Sequence, residues 1–459
     1  MGITVSGSYL WSWGAPPDIS HLASDGTLYL HMGDASGRYG SGDLYDDTTN
    51  EAFNIDQAGE TITVRSLGQT DTYAAGSVKK IVGYGGKGND SIYVGQNVSA
   101  ALDFDGGLGN DSFVILGGAA ASSVRGSAGK DEFLSGSRSG IRFEGGEGND
   151  KFVGGEGADI IDMGAGENTI FGGGGADIIR VNGSLDTVDA GSGDDLITLS
   201  LTGYAEVNAG DGNDRLVVDN FSSDAAAAAS LQFNDHQLAV TSTGGKVRTV
   251  DFNDSLERIV LNDAASKAVL KTGFTPSDAP ASWGQTNLTL DVAGVLDVAT
   301  FQAKLVAPDA TFNIAAGGIH GTLNTELAAL TVVNRGTAGT AADRDIVLRE
   351  LDDLSIVSSE RSNGGLYAAA GQIDLQLATR EAELTLASGV IGTGAGGNLT
   401  FKVDDINFTS GDNKVFGSGA LVIRSMFDAQ NYRIGGAGQS RFGYDFSAGV
   451  DSGYMELAS

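Results

Sequence analysis

Five aspartates, Asp150, Asp159, Asp177, Asp186 and Asp195, stand at the sixth position of a nine-residue unit that repeats six times without a gap between Gly145 and Thr198. The nonads read GGEGNDKFV, GGEGADIID, MGAGENTIF, GGGGADIIR, VNGSLDTVD and AGSGDDLIT, with Asn168 in place of the acid in the third. Glycines at positions one, two and four can take positive φ, which lets the backbone turn tightly and direct carbonyl oxygens into one concavity. The carboxylate adds a charged oxygen to that set. Oxygen ligands without nitrogen or sulfur suit Ca²⁺, which accepts six to eight of them in flexible geometry. A single turn cannot supply so many, so the turns have to be stacked.

The elements that would stack them are written in the same repeat. Position eight is Phe, Ile, Ile, Ile, Val and Ile, one large apolar side chain at a fixed phase, as a solenoid requires and a glycine-rich linker does not. Two nonads make one coil, and successive strands lie about 4.8 Å apart. Nonads starting at 145, 163 and 181 then share one edge, and those at 154, 172 and 190 the other. Further copies start at Gly85 (GGKGNDSIY), Gly106 (GGLGNDSFV), Gly126 (GSAGKDEFL) and Ala209 (AGDGNDRLV), and bring Asp90, Asp111, Asp131 and Asp214 to position six. Their spacing of 19 to 21 residues equals two nonads plus a short insertion.

These nonads resemble the GGxGxDxUx repeats of RTX (hemolysin-type calcium-binding) proteins over residues 85 to 217. The resemblance implies a parallel β-roll with Ca²⁺ held by Asp90, Asp111, Asp131, Asp150, Asp159, Asp177, Asp186, Asp195 and Asp214, with turn carbonyls alongside. Two turns depart from the pattern: Asn168 replaces the acid, and VNGSLDTVD lacks paired glycines and places Leu185 before Asp186. Weak or absent ion binding is expected at both. RTX proteins leave the cell through a type I secretion machine that reads a C-terminal segment, and FSAGVDSGYMELAS carries no clear signature of one.

Composition points the same way. The formal charge is −31, from 59 acidic and 28 basic residues, and 70 residues are glycine. Such a chain repels itself until cations fill its sites, which couples metal binding to folding. A nucleic-acid partner is not expected, because no basic face is available for phosphates. With 0 cysteines, calcium rather than disulfides would fasten an extracellular structure. The opening MGITVSGSYLWSWG lacks the basic and apolar regions of a signal peptide, and no apolar run reaches the roughly 18 residues of a membrane span.

Residues 1–84 read as a β-rich lead-in with strands at ITV, TLYLHM, EAFNI, ETITVRS and VKKIVGY, and Tyr9, Trp11 and Trp13 as an aromatic cap of the solenoid end. The roll occupies 85–217, and degenerate β coils follow over 218–272. A boundary is expected at TGFTPSDAPASWG. From 284 to 459, period-two segments such as LTLDV, DIVLREL, GQIDLQL and NLTFKV imply a wider parallel β-helix, with a β-sandwich as the alternative. In texture this half is similar to the filamentous-haemagglutinin-like stalks of large bacterial surface adhesins. The chain would then be a fragment of a longer protein. The fold class expected is all-β: a parallel β-roll followed by a second, β-helix-like solenoid.

No catalytic set emerges from the sequence. His21, His31, His236 and His320 form no HExxH pair, and no serine sits in a nucleophile elbow. The acid pairs Asp46–Asp47, Asp352–Asp353 and Asp404–Asp405 read as solvated turns. The leading expectation is a non-enzymatic, calcium-binding structural or adhesive segment, extracellular or on the bacterial surface, with a host-surface or polysaccharide ligand as possible partner. A polysaccharide-active enzyme is the alternative. A pore-forming toxin is disfavoured because residues 1–84 hold no amphipathic helix.

Overall fold

The computed structural model describes residues 19–33, 50–119, 121–200 and 204–219, then strands and adjoining turns between 228 and 424, and the strand Tyr454–Leu457. The aromatic cluster at residues 9–13, the Asp46–Asp47 pair, His236, Asp404 and the segment 272–280 lie outside the described residues. The chain forms two compact units, Met1–Gly157 and Ala158–Ser459.

Among the described residues of the N-terminal unit the strands run β1 Ser20–Leu22, β2 Thr27–Leu30, β3 Ala52–Ala58, β4 Thr61–Ser66, β5 Gln69–Ala74, β6 Lys80–Tyr84, β7 Ser91–Val94, β8 Ala101–Leu108, β9 Ser112–Ile115, β10 Ser122–Ala128, β11 Glu132–Ser135, β12 Ile141–Glu147 and β13 Lys151–Val153. Strands β2, β6, β8, β10 and β12 pair in parallel as one sheet. Strands β3, β7, β9, β11 and β13 form the other. The chain therefore alternates between two sheets and advances one coil at a time. The antiparallel hairpin β1–β2 ends the first sheet and the antiparallel meander β3–β4–β5 ends the second. The Ser20 hydroxyl donates to Asp71 Oδ2 at 2.7 Å and lies 2.9 Å from the Tyr73 hydroxyl, joining the two sheet ends.

Alternation decides which side chains enter the roll. In β8 and β9 every second residue is buried, and the position-eight residues Phe113, Phe133 and Phe152 fall in direct register across β9, β11 and β13. Phe133 stacks on Phe152 at 5.0 Å and on Phe143, from the facing sheet, at 4.7 Å. Offset ring stacking of this kind adds to the burial of apolar area. On the outer face of the first sheet Arg125 bridges Asp103 and Asp105, and Lys80 also reaches Asp103. Half-exposed pairs like these contribute little to stability but neutralise cross-strand repulsion.

The C-terminal unit opens with the same plan. β14 Ile160–Ala165, β16 Ile178–Val181, β18 Leu196–Ser200, β20 Arg215–Asp219 and β24 Arg258–Leu261 pair in parallel. β15 Thr169–Phe171, β17 Leu185–Asp189, β19 Tyr204–Asn208 and β23 Val247–Phe252 form the opposing ladder, to which β21 Ala228–Gln232 and β22 Gln237–Thr241 add an antiparallel meander.

Farther along, the coil widens from two strands to three. The long strand Leu323–Asn334 pairs in succession with Ile346–Glu350, Leu354–Ile356 and Leu366–Ala368, so one continuous edge is continued by three short strands with turns between them. Each of the three then repeats in parallel, giving the interior rows Leu348, Leu375 and Phe401, Leu354, Leu384 and Ile406, and Leu366 and Ile391. Hydrogen bonds one coil apart span 26 and 22 residues at the Gln372, Asn398 and Ala420 corner. The second solenoid is thus a three-faced parallel β-helix, not the sandwich alternative.

Glu350 lies inside this widening, 1% exposed, and its Oε1 accepts the Leu327 and Leu351 N–H groups at 3.2 and 2.8 Å. Burial pushes its carboxyl up to about 7. The penalty of ionising it is absent below the ordinary glutamate value, grows as pH rises toward 7 and is complete above that. Glu350→Gln, which keeps the acceptor, is expected to raise the thermal midpoint at pH 8 and to leave it unchanged near pH 4, as read by calorimetry at both values.

Candidate metal centre

The position-six residues of the N-terminal unit form one continuous ladder along a single edge. The Asp90 N–H donates to Asp111 Oδ1 at 2.7 Å, the Asp111 N–H to Asp131 Oδ1 at 2.7 Å and the Asp131 N–H to Asp150 Oδ1 at 2.9 Å. One oxygen of each carboxylate thereby fixes the coil before it. Asparagines at position five build a parallel, exposed ladder, with the Asn110 N–H on Asn89 Oδ1 and the Lys130 N–H on Asn110 Oδ1. The turns on the opposite edge, at 95–100, 116–119 and 136–140, contain no Asp or Glu. Spacing of 19 to 21 residues therefore marks coils in which only one of two turns carries the acid.

The second carboxylate oxygen is the informative one. Oδ2 of Asp90, Asp111, Asp131, Asp177, Asp195 and Asp214 is buried with no hydrogen-bond partner. A methyl group built on Gly85 would stand 2.1 Å from Asp90 Oδ2 and 2.4 Å from the Gly106 carbonyl oxygen of the next coil. On Gly126 it would meet Asp131 Oδ2 and the Gly145 oxygen, and on Gly172 Asp177 Oδ2 and the Ala190 oxygen. Carboxylate and carbonyl oxygens of adjacent coils thus border one point, repeatedly.

Backbone angles correct one expectation about the glycines. Positions two and four are left-handed, as at Gly107 and Gly109 with φ of 96° and 134°, but the position-one glycines Gly85, Gly106, Gly126 and Gly172 are not. Glycine is required there for space beside the carboxylate rather than for φ. The turn at 154–159 differs further, since neither Gly155 nor Gly157 takes positive φ.

In the C-terminal unit the ladder on one edge runs from the Asp159 N–H to Asp177 Oδ1 at 2.7 Å, from Asp177 to Asp195 at 2.8 Å and from Asp195 to Asp214 at 2.9 Å. The other edge pairs the Asn168 N–H with Asp186 Oδ1 at 2.9 Å. Asp186 also accepts from the Gly183 backbone of its own turn, so protein donors already engage its carboxylate. That engagement is a physical reason to expect weak binding at these two turns. All nine candidate aspartates are buried, between 0% and 3% exposed.

Electrostatics makes a bare ladder costly. Burial above all, with the charge of neighbouring ladder acids added, raises the carboxyl of Asp177 to about 8 and those of Asp111 and Asp214 to about 7. Asp131 and Asp195 rise to about 6, and Asp90 and Asp150 are raised as well. A buried carboxylate with an unused oxygen calls for a cation or a proton. Among the described residues no three acidic or imidazole side chains gather around one point. A site here must draw carbonyl oxygens from two turns in addition to carboxylates, an all-oxygen donor set that fits Ca²⁺.

Two ladder members carry no nonad signature. The Glu51 N–H donates to Asp90 Oδ1 at 2.8 Å, and the Glu51 carboxylate receives the Gly33 N–H. At the far end of the other ladder, the Asp214 N–H donates to Glu257 Oε2 at 2.7 Å. They lie 39 and 43 residues from their partners, outside any glycine-rich turn. The signal that does mark them is an acid two residues before a buried apolar one: Glu51-Ala-Phe53 pairs with Asp90-Ser-Ile92, and Glu257-Arg-Ile259 with Asp214-Arg-Leu216.

The residues weighed for catalysis have structural surroundings. Asp353 Oδ1 accepts the Glu383 N–H at 2.7 Å as a corner bond of the β-helix, and His320 Nδ1 lies 3.7 Å from Asp297. Among the described residues no helix is long and apolar enough to cross a membrane.

The family described as RTX calcium-binding nonapeptide repeat (4 copies) matches the chain over residues 142–170 and 163–197. Neither a curated protein nor a solved structure matches it.

Proposed function

We propose that this chain, whose nonads at residues 142–170 and 163–197 match the RTX calcium-binding repeat, is a calcium-folded structural or adhesive segment, secreted or displayed on a bacterial surface. The carrying observation is the set of buried, partnerless Oδ2 atoms at Asp90, Asp111, Asp131, Asp177, Asp195 and Asp214. In this reading the ligands are Asp90, Asp111, Asp131, Asp150, Asp159, Asp177, Asp195 and Asp214 with turn carbonyls, and Asp186 contributes least. Sites of extracellular modules bind in the range of about 10⁻⁴ to 10⁻³ M. They stay empty at cytosolic calcium and fill outside the cell, so the charge of −31 keeps the chain expanded until export. The stacked coils and the three-faced β-helix then serve as a stiff spacer whose ligand is a host surface or a polysaccharide, and no catalytic role is assigned to it.

The test replaces Asp177, Asp195 and Asp214 together by Asn, which retains the oxygen that accepts the neighbouring N–H and removes the charge. Fewer calcium ions per chain are expected by equilibrium dialysis, with a higher calcium midpoint for the remaining β-signal and more β-signal than wild type when calcium is absent. An unchanged ion count refutes the ligand assignment. Release of reducing ends from surface polysaccharides by the purified chain would refute the structural reading and favour an enzyme.

A further inference from the structure

We propose that Glu257 is a calcium ligand and completes a terminal ion site with Asp214, at the place where the glycine-rich turns have ended. The inference rests on the calcium reading of the roll and extends it to a coil that carries no recognisable nonad.

The ladder bond is the first observation. Along this edge each backbone N–H donates to a carboxylate oxygen one coil ahead, and Glu257 Oε2 accepts from Asp214 at 2.7 Å as Asp214 Oδ1 accepts from Asp195 at 2.9 Å. Register agrees with this, because Arg215 pairs with Arg258 as Leu196 pairs with Arg215. Glu257 therefore occupies the position that the next aspartate would hold.

The second observation is Asp214 itself, 0% exposed, with Oδ2 buried and without a partner. In the coils before it such an oxygen borders a carbonyl of the following turn. Two carboxylates meeting at a ladder rung need a counter-charge. Among the described residues neither has an ion-pair partner, and Arg258, the cation next to Glu257 in sequence, is bound to Asp291. Asp194, whose Oδ1 accepts the Asn213 N–H at 3.1 Å, adds a third negative group nearby. Hard oxygens and excess negative charge, with no ion pair to either carboxylate among the described residues, define a site for a divalent cation of the calcium class.

The contrast with Glu51 sharpens the assignment. There both carboxylate oxygens receive the Gly33 N–H, at 3.3 and 3.2 Å, so that glutamate ends its ladder with backbone as the partner.

Glu257→Gln tests the site in the full chain, since the amide oxygen can still accept the Asp214 N–H. Equilibrium dialysis against calcium should find one ion fewer per chain than in wild type, with the remaining sites filling at unchanged concentration and the same circular dichroism at saturating calcium. The same ion count and affinity as wild type would overturn the inference. So would loss of every ion, which would make Glu257 a folding requirement of the whole roll. A wild-type chain that binds no calcium would bring down the calcium reading itself, a different failure visible before the variant is made.

Discussion

With calcium removed by a chelator at pH 8, the chain is expected to lose the β-signal of its nonad coils in far-ultraviolet circular dichroism and to regain it cooperatively when calcium, but not magnesium, is restored. Each site with a dissociation constant of about 10⁻⁴ M adds about 1.4 kcal/mol at roughly millimolar calcium, so a handful of sites rivals the whole stability of an ordinary domain. The calcium-free fold should depend on pH in a definite direction. Asp177, Asp111 and Asp214 titrate at about 8, 7 and 7 in the folded chain against 3.8 for the ordinary group. An acid whose folded value is raised costs nothing below about pH 4, costs progressively more as pH rises toward 8, and costs the full amount beyond. Acidification from pH 8 to pH 5 should therefore restore β-structure to the calcium-free chain. The same protons compete with calcium, so the calcium midpoint should rise on acidification. A chelated chain equally folded at pH 8 and pH 5 would show that the ladder acids are paired by something other than metal or proton.

The second large effect is expected at Phe133. It is fully buried between Phe143 and Phe152, at centroid distances of 4.7 and 5.0 Å. Phe133→Ala should cost about 3–5 kcal/mol in denaturant unfolding at saturating calcium, and raise the calcium needed for folding. Leu134, next in the same strand but pointing outward and 41% exposed, is the internal control. Leu134→Ala should stay within about 0.5 kcal/mol of wild type. Equal costs at the two positions would mean that the two faces of β11 have been interchanged.

Legibility in the sequence follows the range of the interactions. Position-six acids and position-eight apolar residues repeat every nine residues because turn chemistry and strand alternation are local, so the places of Asp177 and Phe152 in the repeat follow from residue order alone. TLYL, TITVRS and KIVGY likewise appear as β2, β4 and β6. β5, with the sequence QTDTYA, has no apolar alternation to betray it, because it is an edge strand held by backbone pairing to β4. The role of the position-one glycines is hidden for a related reason. Their φ is not left-handed, and the constraint is a carboxylate oxygen that the fold brings beside them.

By itself the sequence determined the repeat, the all-oxygen chemistry of its turns, the β class of both halves and the excess charge that ties folding to cations, since each of these is a property of neighbours along the chain. Only the tertiary structure decided the rest. Stacking placed the acids of the N-terminal unit on one edge, left an oxygen of Asp90, Asp111 and Asp131 buried without a partner, ended the two ladders at Glu51 and Glu257, and paired the single strand Leu323–Asn334 with three short strands of the next coil. Those outcomes depend on which coil lies above which, a relation set by pairing across 18 to 43 residues that no local pattern encodes.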